Sequence, residues 1–184
     1  SHEESSVVGA LGMRARGTRE IAFNRQIRLQ QTQLRQFVNQ LTRDGGAFAK
    51  SLITQVRGTA AELGKSGSDD LKAIGKRLSE ASAALEDVVS FIASNAKSDI
   101  KAAFAGSVPY LKMAGVVFGG WQMGRAALVA AQKLSSGDGD ASFYQAKITT
   151  ARFFADHFLS TASASRTAIV EGSSGVLALA EDQF

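Results

Sequence analysis

Few side chains in this sequence could do chemistry, and their spacing decides against most of it. There is no cysteine among the 184 residues, which excludes disulfides, thiolate nucleophiles and cysteine-ligated zinc. Of the two histidines, His2 stands at the start, so a metal site or a Ser–His mechanism would have to be built around His157. His157 lies between Asp156 and Phe158 in a helical pattern, with no triad partner or second ligand at usable spacing, and a surface or packed histidine is expected. Asp138 and Asp140 resemble the start of a calcium loop. Phe143 and Thr149 occupy the places of its glycine and distal glutamate, so Asp140 reads instead as a helix N-cap. Gly172-Ser173-Ser174-Gly175 lacks the spacing of a G-x-S-x-G nucleophile turn. Glu62, Glu80, Glu86 and Glu171 are expected at solvated positions. No catalytic, cofactor-binding or metal-ligating residue is assigned from these patterns.

Charge is the other chemical resource. The chain carries a net +4, and its arginines gather early: positions 14, 16, 19, 25, 28, 35 and 43 face only Glu20 across the same stretch. A solvated helix face accounts for this best, with a surface for phosphates or an acidic partner as the sharper alternative. No aromatic residues interleave with the arginines as base-stacking platforms do, so nucleic acid is not an expected partner.

The elements that would position such residues are helices. Proline occurs once, at Pro109, and 45% of the residues are hydrophobic against 21% charged, the balance of a globular all-α chain. About five helices in an antiparallel bundle are expected. The clearest spans about 69–105, with Leu71, Ile74, Leu78, Ala81, Leu85, Val88 and Ile92 on one stripe and Ser68, Asp69 and Asp70 at its start. Before it, after Gly45-Gly46, a helix to Gly64 presents Ala49, Leu52, Val56, Ala60 and Leu63. The short polar linker Gly64-Lys65-Ser66-Gly67 makes the two antiparallel neighbours. The first helix, about 18–42, has a thinner stripe of Phe23, Ile27, Leu34, Val38 and Leu41.

After Pro109, which suits a first helical turn, a helix over about 108–134 carries Val117, Trp121, Leu128 and Ala131 on one side. It also holds Gly115, Gly119, Gly120 and Gly124. Each glycine costs about 1 kcal/mol against alanine, so close approach of another helix is the expected compensation, with a ligand lying against the bare backbone as the alternative. The fifth helix shows Tyr144, Ile148, Ala151, Ala155, Phe158 and Ala162 as a seam against this neighbour, until Gly172 and Gly175 end it. The apolar stretch 113–131 is interrupted by Gln122 and Arg125 and reads as a buried helix rather than a membrane span. The opening SHEESSVV is acidic and has no apolar core, so no signal peptide is expected and the cytoplasm is the default compartment.

Two segments carry a family resemblance: VPYLKMAGVVFGGWQMGRAALVAAQKL at 108–134 and GDASFYQAKITTARFFADHFL at 139–159. They resemble the C-terminal domain of a long subgroup of acyl-CoA dehydrogenases, the 3-methylmercaptopropionyl-CoA dehydrogenase type. LTRDGGAFAKSL at 41–52 is similar to the family's segment leading into this domain, and GVLALAEDQF at 175–184 is similar to its chain ends, with Ala180 in place of the usual proline. The resemblance covers about 41–184 and leaves 1–40 as a divergent N-terminal segment and first helix.

What the resemblance implies is a parent flavoenzyme. A glutamate base would take the α-proton of an acyl-CoA, FAD the β-hydride, and an electron-transfer flavoprotein the electrons. In the family that glutamate lies in a Tyr-Glu-Gly-Thr segment shortly before the RDGG segment. Here Gly17-Thr18 is preceded by Arg16, and an arginine stays protonated near neutral pH. The resemblance therefore transfers no catalytic or flavin-contacting residue to this chain, and no cofactor is expected in it. It implies a structural domain, inactive alone, packed on the remainder of such a dehydrogenase or on a neighbouring subunit of a homo-oligomer. The competing expectation is a free-standing helical interaction module without enzymatic activity.

Overall fold

A computed structural model describes residues 41, 43–137, 139–176 and 178, within the second of two units into which the chain divides, Val38–Phe184. The expected first helix at 18–42, the arginines from 14 to 35, Asp138 and the end of the apolar tail lie outside the described residues. Leu41, the last position of that first stripe, is described and buried.

The chain folds as an all-α bundle, and no strand occurs among the described residues. Its helices are α1 (Ala47–Gly64), α2 (Asp69–Asn95), α3 (Ile100–Ala105), α4 (Ser107–Ser136), α5 (Ala141–His157), α6 (Ala162–Val170) and α7 (Ser173–Val176), with a 3-10 turn at Leu159–Thr161 between α5 and α6. None of the described helices is long and apolar enough to cross a membrane.

The long helix α2 is the centre, touching α1, α4, α5 and α6. All seven positions of its expected stripe are buried, and Gly75, Ser82, Ala84 and Val89 widen the inner face. Burying a leucine or isoleucine contributes roughly 1.5–3 kcal/mol, so this stripe is a main source of cohesion. Ser68 caps the helix by accepting a hydrogen bond from the Leu71 N–H, with Asp69 and Asp70 in the first turn. At the start of α1, the Asp44 carboxylate accepts from the Gly46 and Phe48 N–H groups at 2.9 and 3.1 Å. Gly46 is left-handed, at φ 82°, a conformation that side chains other than glycine resist.

Helices α1 and α2 run antiparallel. Gly46 lies against Val89 and Ala93 at one end, and Gly75 lies against Ala60 and Leu63 at the other. At Gly75 the helices meet backbone to backbone. A Cβ there would stand 2.8 Å from the Ala60 carbonyl oxygen.

Four expectations need correction. The helix expected over 69–105 is two helices. It ends at Asn95, where the side-chain amide donates to the Phe91 carbonyl, and Asp99 starts the next by accepting from the Ala102 N–H. On α1 the inner residue is Ile53, not the half-buried Leu52. On α4, Trp121, Leu128 and Ala131 are only half-buried. The inner face is Tyr110, Met113, Ala114, Val117, Gly120, Gly124, Ala127 and Ala130, because the crowded centre of the bundle takes the small residues and pushes the large ones to the flank.

The fifth helix stops at His157 rather than at Gly172. Ser160 and Thr161 donate side-chain hydrogen bonds back to the Asp156 and Phe158 carbonyls, both at 2.7 Å, and local bonding of this kind competes with regular helix. The tightened turn carries Leu159 inward and leaves Phe158 45% exposed, while Tyr144 is half-buried. Ile148, Ala151, Ala155 and Ala162 are buried as the seam requires. Gly172 lies in the turn after α6, whereas Gly175 falls inside α7.

Candidate functional site

The outward side of the α4–α5 pair is where side chains with chemical potential gather. The two helices run antiparallel. The Asp140 carboxylate caps α5 by accepting from the Ser142 and Phe143 N–H groups, and Gly137, at φ 70°, ends α4. Their register is set where Gly119 meets the ring of Phe154, with a Cβ at Gly119 falling 3.4 Å from the ring tip.

Near the other end the helices part into a cleft of about 430 Å³. Its lining comes from Gln122, Arg125, Ala126, Val129 and Ala130 of α4 and Phe143, Tyr144 and Lys147 of α5. Val129 and Phe143 are more than half exposed there, large apolar side chains left facing outward. Arg125 lies over the Trp121 ring, 5.5 Å from its centre, and hydrogen-bonds the Gln122 side chain at 3.2 Å. Lys147 lies over the Phe143 ring at 5.0 Å. The Trp121 indole N–H donates to the Thr59 hydroxyl at 2.8 Å, which ties the rim of α4 to α1.

Further along α5 a second apolar group faces outward. Phe153 and Phe158 are exposed, Phe154 stacks on Phe158 at 5.0 Å, and His157 lies 4.3 Å from the Phe153 ring. His157 is thus an exposed residue leaning on a phenylalanine, in keeping with the surface histidine expected from the sequence. The four glycines of α4 divide in the same way. Gly120 and Gly124 are filled by Leu159 and Leu63, whereas a Cβ at Gly115 would meet nothing within 4 Å.

The charged groups elsewhere do structural work. Arg152 joins Asp156, at 2.6 Å, to Asp70 in the first turn of α2, at 3.0 Å, and Asp156 also faces Arg77 at 3.8 Å. The hydrogen bond to Asp156, ahead of the other charge contacts, raises the pKa of Arg152. Arg166 bridges Asp87 and Glu171 and is raised in the same sense by those two hydrogen bonds. Of the glutamates expected in solvent, Glu62, Glu80 and Glu171 are exposed and Glu86 is half-buried against Arg57. Among the described residues no group of His, Asp and Glu could hold a metal ion.

Sequence reasoning missed the outward face. A signal was present: Phe143 and Phe153 fall off the seam marked by Ile148, Ala151 and Ala155, and α4 is apolar nearly all round. A helix of that kind ordinarily has neighbours on every side.

Comparison with known proteins adds two findings. Residues 52–180 match the family described as Acetyl-CoA dehydrogenase C-terminal like. The chain is also similar to a 3-methylmercaptopropionyl-CoA dehydrogenase from Ruegeria pomeroyi, with 39% identity over 135 residues that make up 73% of this chain and 23% of that protein. It spans less than a quarter of the length of this relative.

Proposed function

This chain belongs to the acyl-CoA dehydrogenase C-terminal family, and on that premise we propose that it is the structural helical domain of an FAD-dependent acyl-CoA dehydrogenase. In this reading 41–184 form the domain and 1–40 a divergent segment ahead of it. The domain binds the catalytic body or a neighbouring subunit of a cytoplasmic homo-oligomer whose electrons pass to an electron-transfer flavoprotein. It does no redox chemistry itself. The observation that carries the reading is the outward face of α4 and α5, where Gly115 is bare and Phe153 and Phe158 are exposed. Clustered apolar surface of this kind marks a face that another body covers.

The parent reaction would need a carboxylate base beside the flavin. The described residues do not fit that chemistry. The cleft lining includes no carboxylate, and the described glutamates are exposed or engaged by arginine. No step of dehydrogenation is therefore assigned to side chains of this domain.

The test has two arms. The purified chain should lack flavin absorption in the visible and should not oxidise an acyl-CoA with an artificial dye as acceptor; turnover would refute the proposal. In a full-length dehydrogenase carrying this domain, Phe153→Glu with Phe158→Glu should loosen assembly and lower activity, while the same pair leaves the melting of the isolated chain nearly unchanged. Unaltered assembly would favour a free-standing module instead.

A further inference from the structure

We propose that the cleft between α4 and α5 is a binding site for a small organic anion, a phosphate or carboxylate carried on a planar or apolar body. The inference stands on the cleft's own residues and does not depend on the structural role proposed above. The antiparallel register fixed by Gly119 against Phe154 puts Arg125 level with Lys147 on the facing helix. Two cations thus stand across from each other over one cavity.

The state of Arg125 differs from that of the other described arginines between residues 47 and 170. Arg57, Arg77, Arg152 and Arg166 each hold a carboxylate. Arg125 has no carboxylate partner among the described residues, and neither has Lys147. Each rests on an aromatic ring instead. At an exposed site that contact contributes only about 0.5–1 kcal/mol, and a charge-assisted hydrogen bond to an anion would compete with it readily.

The rest of the lining suits the body of such a ligand. Ala126, Val129 and Ala130 make an apolar wall on α4, and Phe143 and Tyr144 offer ring surface on α5. Gln122, held by Arg125, adds a neutral polar group at the rim. The volume of about 430 Å³ lies in the range of small-molecule sites. A bare inorganic anion would leave the apolar wall unused, and a neutral apolar ligand would leave both cations unanswered.

The test titrates the whole 184-residue chain with ADP and, separately, with octanoate, following the Trp121 indole signal and the amides of 125–130 and 143–147 by NMR. Adenosine and inorganic phosphate serve as half-ligands. Saturable shifts are expected for ADP or octanoate at a Kd below about 1 mM, with each half-ligand roughly tenfold weaker or worse. Which probe saturates tells a phosphate site from a carboxylate site. Arg125→Gln with Lys147→Gln should weaken binding at least about tenfold with an unchanged helical spectrum, since both side chains lie on the rim. The proposal is overturned if neither probe shifts these signals in that range or if the double variant binds equally well.

Discussion

The bundle contains two antiparallel hairpins built to opposite standards of closure. In α1–α2 the helices meet through Gly75, close enough for a backbone carbonyl to fill the space where a side chain would start. In α4–α5 the corresponding small residues are divided: Gly120 is filled by Leu159 on the inner side, while Gly115 opens outward to nothing within 4 Å. Glycine in mid-helix is costly wherever it occurs. At Gly75 and Gly120 the bundle itself offsets that cost. At Gly115, as at Gly58 on the outer side of α1, nothing in the domain lies within 4 Å of the place a Cβ would take, and on the proposed reading a partner surface covers the former.

The largest expected break in this contrast is a matched pair of substitutions. Gly75→Leu must push apart two backbones that cannot yield and should cost about 3 kcal/mol or more. Gly115→Leu projects into open space and should be neutral or up to about 1 kcal/mol stabilising through helix propensity. Chemical denaturation of the two variants decides it, and equal losses would show that the outward face is packed after all.

Alkaline pH tests the packed interior through Tyr110. It is almost fully buried at the start of α4, and burial pushes its phenol well above the ordinary tyrosine range. With a raised pKa in the folded state, this contribution to stability is complete below pH ~10 and declines as pH rises beyond it, because the unfolded chain loses the proton first. The slope from Tyr110 should be about 1.4 kcal/mol per pH unit. Above pH ~10, the melting temperature should fall less steeply with pH in Tyr110→Phe than in the parent chain.

The smallest effect concerns how α5 is fastened to α2. Arg152→Gln cuts the link between Asp156 and Asp70. The side chain is about one-third exposed, so the loss should stay below about 1 kcal/mol and shrink in high salt. A melting shift independent of ionic strength would mean that Arg152 acts through packing of its stem instead.

The closed hairpin was largely legible in the sequence. A strict three-and-four spacing on α2 leaves one possible inner face, and Ser68 announces its start by chemistry that acts over a few residues, as Asp140 does for α5 in the open hairpin. On α1, Leu52 and Ile53 satisfy the spacing almost equally, and packing decided for Ile53. The open hairpin was harder to read. Apolar residues surround α4 on most sides, so periodicity could not choose its inner face, and Trp121 was given a place that Gly120 takes. The turn at Leu159–Thr161 contains no glycine or proline to announce it. The cleft was hidden for a different reason: Arg125 and Lys147 are 22 positions apart in the sequence, and only the register of two helices brings them level.

Leu159, seated in the notch above Gly120, acts as a pin between α4 and the end of α5. Shear motion, in which packed helices slide along one another, would require that side chain to climb out over the neighbouring turns of α4. The register that sets Arg125 level with Lys147 is therefore held by a residue on the far side of the helix pair, and in the proposed anion site a larger ligand would be met by rotation of Phe143 and Lys147 rather than by travel of the backbone.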